Sequence, residues 1–251
     1  MNNQTIRTDV RPLNSIYYLI TLLLLTIMSS GCVKMDKAVK HYQEIKESNQ
    51  LDSKTVVAGL KEALKIGTER TVLTTSTVDG YMGDALIRIA MPKEFRNMSK
   101  TLRKVGLGKY VDEMEVAMNR AAEQAASEAR KVFWQAITDM TLNDAYSILK
   151  GHDAAATLYF RGRTEQSLRL RYLPIVRKKM KSVGLYLSYN KALKYYMAIP
   201  FVKRPTLDFD RYVTDSALNG LFTILAQEEK KIRIDPKART TKLLKRVFAQ
   251  Q

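Results

Sequence analysis

The chain is poor in the side chains on which most enzyme chemistry depends. One cysteine, Cys32, and two histidines, His41 and His152, are the whole supply in 251 residues. A single cysteine excludes an intrachain disulfide, and no HExxH, CxxC or paired His/Cys spacing offers a metal site. GxGxxG, Walker and GxSxG patterns are absent too, which removes the usual sequence signals for dinucleotide, nucleotide and serine-hydrolase sites. No metal and no cofactor is expected, and a non-catalytic role follows more readily than a catalytic one. With only 6 prolines and 11 glycines and 45% hydrophobic residues, the composition is that of a globular protein with a packed core rather than a disordered one.

Acid is scarce in two places. Residues 161–204 hold 12 Lys or Arg against Glu165 alone, and residues 230–246 hold 8 against Asp235 alone. These two runs account for more than the whole net charge of +17, so the basic excess is local. Tyrosines 172, 186, 189, 195 and 196 interleave with the first run, a pattern that on a cytosolic protein would suggest nucleic acid. On an exported chain the phosphates met are those of lipid headgroups and lipopolysaccharide, and no nucleic acid is expected.

Export is what the N-terminus indicates. Arg7 and Arg11 precede an apolar run from Ile16 to Met28, followed by Ser29, Ser30, Gly31 and Cys32. That order is signal-peptide grammar, and a run of 13 residues is shorter than the ~20 a helix needs to span the hydrocarbon core. Met28 to Cys32 resembles a bacterial lipobox, with Ser29 in the place where the pattern prefers Leu. The resemblance implies acylation of Cys32, and Val33 in place of an aspartate implies outer-membrane sorting facing the periplasm. Ordinary cleavage after Gly31, giving a soluble periplasmic protein, is the alternative. The expected organisation is a leader over 1–31, a polar tether over 32–50 and one helical domain over 51–251.

Within that domain the stretch from Asp112 to Met140 is free of Gly and Pro and rich in alanine. Met114, Met118, Ala121, Ala125, Ala129, Val132, Ala136 and Met140 recur at helical spacing, which predicts a central rod with a small-residue face that neighbouring helices can approach closely. Before it, Asp52 or Ser53 can cap a helix running towards Thr71, and Phe95, Met98, Leu102 and Val105 form a stripe behind Pro92. Ile87, Ile89 and Met91 alternate with Arg88 and Ala90, the one strand-like period. After it, Thr141 with Asp144 approximates a capping box, Asp153 can cap Ala154 to Phe160, and Thr164 begins a longer helix kinked at Pro174. Leu185 to Met197, a helix capped by Thr214, and a last one after Asp235-Pro236 complete the set. The expectation is an all-α, single compact multi-helix domain with at most one short extended segment.

Three stretches carry a resemblance: MNRAAEQAASEA (Met118 to Ala129), ILKGHDAAATLYF (Ile148 to Phe160), and YVTDSALNGLF with EEKKIRIDPKARTTKLLKRVF (Tyr212 to Phe248). They resemble domain-of-unknown-function family 4197 from about Val57 to Phe248. The resemblance implies an all-helical, often lipid-anchored envelope protein of Gram-negative bacteria and brings no reaction, substrate or catalytic residue.

Two groups of polar residues remain as candidates. Glu115, Asn119, Arg120 and Glu123 lie on the central helix, where Glu115, Asn119 and Glu123 are spaced four apart, and they could meet Glu228, Glu229, Arg233, Asp235 and Arg239. Such a network either fixes helix register or presents a carboxylate pair for acid/base work in a periplasmic enzyme. Arg177, Lys178, Lys179 and Lys181 are the candidate contacts to anionic lipid or lipopolysaccharide. The 11 methionines admit a third class, a helical binder of an apolar ligand. Membrane attachment through acylated Cys32 is the expected partnership, and nothing in the pattern sets an oligomeric state.

Overall fold

A computed structural model describes residues 52–248. The leader, Cys32, His41 and the tether lie outside the described residues. Contacts gather Ser53–Gln251 into one compact unit. It is all-α, and among the described residues there is no strand.

Nine helices follow one another among the described residues: α1 (Ser53–Ser76), α2 (Arg96–Lys104), α3 (Gly108–Ala126), α4 (Ala129–Thr138), α5 (Leu142–Leu149), α6 (Ala155–Ser182), α7 (Leu185–Met197), α8 (Phe209–Ile234) and α9 (Lys242–Phe248). Helix α3 is the hub. It packs against α1, α2, α6, α7 and α8, and Ala117, Ala121, Ala122, Ala125 and Ala126 are all buried. These alanines cover about half of the rod's circumference, and their small side chains let neighbouring helices approach more closely than larger ones would.

The predicted rod is two helices. The turn at Ser127 and Glu128 closes with a tighter bond, Glu128 N–H to Ala125 O at 3.1 Å. The Ser127 hydroxyl also bonds back to Gln124 O at 3.0 Å. A side-chain donor competing for the last carbonyls is a common cause of a helix bend. Beyond it, Phe133 meets Phe160 and Phe222 with ring centroids 5.2 and 6.1 Å apart, a second core where α4, α6 and α8 converge.

Other expectations are corrected at the helix ends, and one is met. Helix α6 is continuous from Ala155 to Ser182; Thr164, expected to begin a helix, lies buried inside it and its hydroxyl donates to Phe160 O at 2.6 Å. Pro174 stays within α6, and both it and Leu170, whose carbonyl it leaves unbonded, are exposed to solvent. Thr214 is an interior residue of α8, which Asp208 caps instead by accepting the Arg211 N–H at 3.1 Å. Val105 closes α2 and is exposed rather than part of its buried stripe. The Thr141/Asp144 capping box is present in both directions, and His152 Nδ1 accepts the Ala154 N–H at 3.2 Å in the following turn.

Candidate functional site

The three residues spaced four apart on α3 form a ladder, and its rungs grip residues 79–91. Asn119 is buried; its Oδ1 accepts the Ile89 N–H at 2.9 Å and its Nδ2 donates to Ile89 O at 2.8 Å. One turn before, Glu115 accepts the Met91 N–H at 3.2 Å on one oxygen and Arg88 Nη2 at 3.2 Å on the other. One turn after, Glu123 Oε1 accepts the N–H groups of Tyr81 at 3.2 Å and Met82 at 3.3 Å. Its Oε2 receives Arg120 Nη1 at 2.7 Å, and Arg120 Nη2 reaches Asp79 at 2.7 Å.

The alternation seen in the sequence is therefore real, but the pairing is with a helix. Ile87 and Ile89 are buried while Arg88 and Ala90 are exposed. The gripped segment runs through turns as far as Ile87 and then as irregular backbone to Met91, so it has backbone groups that neither a helix nor a ladder of strands satisfies, and buried amides need partners. Carboxylate and carboxamide side chains at i, i+4 and i+8 supply those partners along one face.

Tyr81 locks the upper end of this segment, and the sequence pattern does not single it out. It is fully buried, and its hydroxyl donates to Ala217 O on α8 at 2.6 Å. Burial, and next the nearby Glu123 charge, push its phenol far above the ordinary value. Gly220 makes room: a Cβ there would stand 2.5 Å from Tyr81 Cε1 and 3.1 Å from Ile87 Cβ. The available signal is Val78-Asp79-Gly80, a turn delivering an aromatic residue.

The second predicted group is a separate cluster. Glu229, on α8, accepts the Ala156 N–H at 2.9 Å and the Thr157 N–H and hydroxyl at 2.8 Å each. It thereby caps α6, whose first turn has no side-chain cap of its own. Arg233 pairs with Glu229 at 2.9 Å and donates to Ile148 O near the end of α5 at 2.8 Å. An anion thus sits at one helix N-terminus and a cation at another's C-terminus, both favourable to the helix dipoles. Arg239 donates to Ile232 O and Arg233 O, closing α8. Asp235 serves only its own turn, accepting the Lys237 N–H at 2.9 Å. Glu228 pairs with Lys231 at 2.6 Å and more distantly with Arg70 at 3.8 Å. The structure brings the α3 residues together on one segment, but of the second group it joins only Glu229 and Arg233 by their side chains, with Arg239 on the backbone of α8, and no hydrogen bond or ion pair among the described residues links the two groups.

Arg177, Lys178 and Lys181 of α6 are exposed, and Lys179 is half-buried. Arg177 is neutralised by Asp210, whose other oxygen accepts the Tyr186 hydroxyl. The three lysines make no ion pair among the described residues. An open cleft of about 400 Å³ between α4 and α6 is edged by Lys131, Arg163 and Arg171. The half-open pocket beside Leu60, Ala63, Ile148 and Leu225 has about 30 Å³, far below the size of a site that holds an apolar ligand. Among the described residues no group of three His, Cys, Asp or Glu could hold a metal, and no helix is long and apolar enough to cross a membrane.

The fold and its polar ladder define a class of all-α domain in which a buried alanine-rich helix holds a non-helical connecting segment by its side chains. The chain belongs to the family described as protein of unknown function (DUF4197), whose family model matches residues 50–249. Comparison with curated proteins gave no match, and comparison with solved structures gave none.

Proposed function

We propose that this protein is a non-catalytic, lipid-anchored component of the Gram-negative cell envelope, sorted to the outer membrane and facing the periplasm, whose basic surface contacts anionic lipid or lipopolysaccharide. The observation that carries the surface contact is the set of exposed cations on α6 and α7, Lys178, Lys181, Lys191 and Lys194, which have no acidic partner among the described residues. Each basic side chain near an anionic membrane contributes about 1 kcal/mol. A domain tethered through Cys32 meets that surface at high effective concentration, so weak contacts suffice to orient it.

The engagement of the acidic ladder supports a non-catalytic reading. Both oxygens of Glu115 and of Glu123 are bound to backbone amides or arginine, whereas a general acid or base must reach a proton on its substrate. Two measurements test the proposal. Cys32→Ala should move the protein from the membrane to the soluble periplasmic fraction, and mass spectrometry showing unmodified Cys32 in the native protein would end the anchoring claim. Residues 33–251, without lipid, should float with anionic vesicles and not neutral ones. That binding should weaken steeply with salt, since screening acts beyond ~8 Å at physiological ionic strength. Equal binding to both vesicle types, or binding unchanged by reversal of Lys178, Lys179 and Lys181, would refute the surface contact.

A further inference from the structure

The loop between α7 and α8 displays Phe201 wholly open to water, the most exposed large hydrophobic residue among those described. Its backbone adds to the anomaly. With φ at 62° a bulky residue occupies the left-handed region, which usually holds glycine or a short polar side chain. The tip is held out from both sides. Pro200 precedes Phe201 and stiffens the chain, while Pro205 is buried, and its carbonyl accepts the Tyr189 hydroxyl at 3.4 Å. Nearby in sequence, Met197 and Tyr195 are 44% and 46% exposed, and Leu187 is 60% exposed.

Cations flank these apolar groups in sequence. Lys191, Lys194, Lys203 and Arg204 are exposed and make no ion pair among the described residues. Leu187, Lys191 and Lys194 fall at i, i+4 and i+7, on one face of α7. No Asp or Glu occurs from Gln166 to Leu207. An exposed aromatic tip with unpaired cations before and after it in the chain has the two halves of an interfacial anchor, an apolar group for the acyl boundary and charge for the phosphates. A second copy is a poor occupant, since a symmetric contact would place these cations against their own counterparts.

We infer that residues 197–204 form a wedge that inserts into the interface of an anionic bilayer, with Phe201 entering the headgroup–acyl boundary and Lys194, Lys203 and Arg204 on lipid phosphates. The inference rests on the envelope reading above and specifies which part of the basic surface enters the lipid. The wedge needs no transmembrane helix. It would hold α6 and α7 against the membrane and leave the opposite side of the domain to the periplasm.

The test uses the full chain reconstituted into vesicles of phosphatidylethanolamine with phosphatidylglycerol, and into phosphatidylcholine alone. A Trp134→Phe background removes the single native tryptophan, and Phe201→Trp places the one remaining indole at the wedge tip. In anionic vesicles the emission of that indole should shift to the blue, resist aqueous iodide and be quenched by lipids brominated on their acyl chains. In neutral vesicles it should remain open to iodide. Adding Lys203→Glu and Arg204→Glu should lower the inserted-to-free ratio about fivefold or more per charge. An indole that stays open to iodide in anionic vesicles, while residues 33–251 still prefer anionic vesicles, would overturn the wedge and leave the surface proposal standing. Loss of that preference would instead remove the surface proposal. Shielding of the indole without lipid, accompanied by crosslinked dimers, would assign the tip to a second copy and overturn the inference.

Discussion

Asn119 holds Ile89 by both of its backbone groups, with its carboxamide acting as the missing strand: N–H to Oδ1 at 2.9 Å and Nδ2 to O at 2.8 Å. Glu115 and Glu123 extend the same grip one turn to either side. A pattern that invites a catalytic reading, three polar residues spaced four apart on a buried helix, thus has a structural use that engages every one of them.

The first prediction is that Asn119→Leu destabilises the domain by about 2–4 kcal/mol, because two buried backbone groups lose their partners at once. Chemical denaturation measures this directly. Asn119→Asp should also be costly, since a carboxylate cannot donate to Ile89 O. An Asn119→Leu protein as stable as the parent would show that the Asn119 bonds contribute nothing net and that Glu115, Glu123 and the buried side chains hold the segment without them.

Glu229 gives a second prediction through a different kind of contact. Glu229→Ala removes the cap of α6 and leaves Arg233 without its buried anion, so a loss of about 3–5 kcal/mol is expected. The double variant Glu229→Leu with Arg233→Met should cost less than the sum of its parts, because no uncompensated charge remains inside. Additive losses in equilibrium unfolding would mean that the two side chains act independently.

Most of the helices are legible in the sequence, and the reasons for the rest are specific. The alanine spacing on α3 shows because five neighbours all select small residues on one element. The Thr141/Asp144 box shows because it is local. The cap of α6 does not, since its carboxylate comes from Glu229, more than seventy residues away. Likewise Thr214 has the chemistry of a cap but lies inside α8, because burial of Val213, Ala217 and Leu218 extends that helix back to Asp208. The polar candidates can be identified as residues, but their grouping depends on which helix ends meet. The 79–91 segment shows its alternation and conceals its partner, since a period of two records which side is buried and not what buries it.

A pH-dependent prediction comes from Asp144. Hydrogen bonds from the Thr141 N–H, and next from its hydroxyl, hold this carboxyl below its ordinary value of 3.8. A depressed carboxyl contributes stability that is fully present above that ordinary value and is lost as pH falls through the lower folded one. The stability difference between the parent and Asp144→Ala should therefore be constant near neutrality and shrink at acid pH. Denaturant titrations across that range check the sign, and a gap that widens on acidification would contradict it.

The last prediction couples Gly220 with Tyr81. A methyl group at Gly220 would lie 2.5 Å from the Tyr81 ring, which is fully buried and cannot move outward while its hydroxyl bonds Ala217 O and its N–H bonds Glu123. Gly220→Ala should therefore cost about 1–3 kcal/mol through overpacking, despite alanine's better helix propensity, which alone would favour it by ~1 kcal/mol. Tyr81→Leu should also destabilise the protein, by opening a cavity and leaving Ala217 O without its donor. In the double variant the clash has lost its second party, so Gly220→Ala should become neutral or stabilising on the Tyr81→Leu background. A double-mutant cycle in equilibrium unfolding reads this as a coupling energy of about 1–3 kcal/mol. If Gly220→Ala costs the same on both backgrounds, the close approach to Tyr81 does not determine which residue α8 can carry at position 220, and the contact with Ile87 becomes the remaining cause to vary.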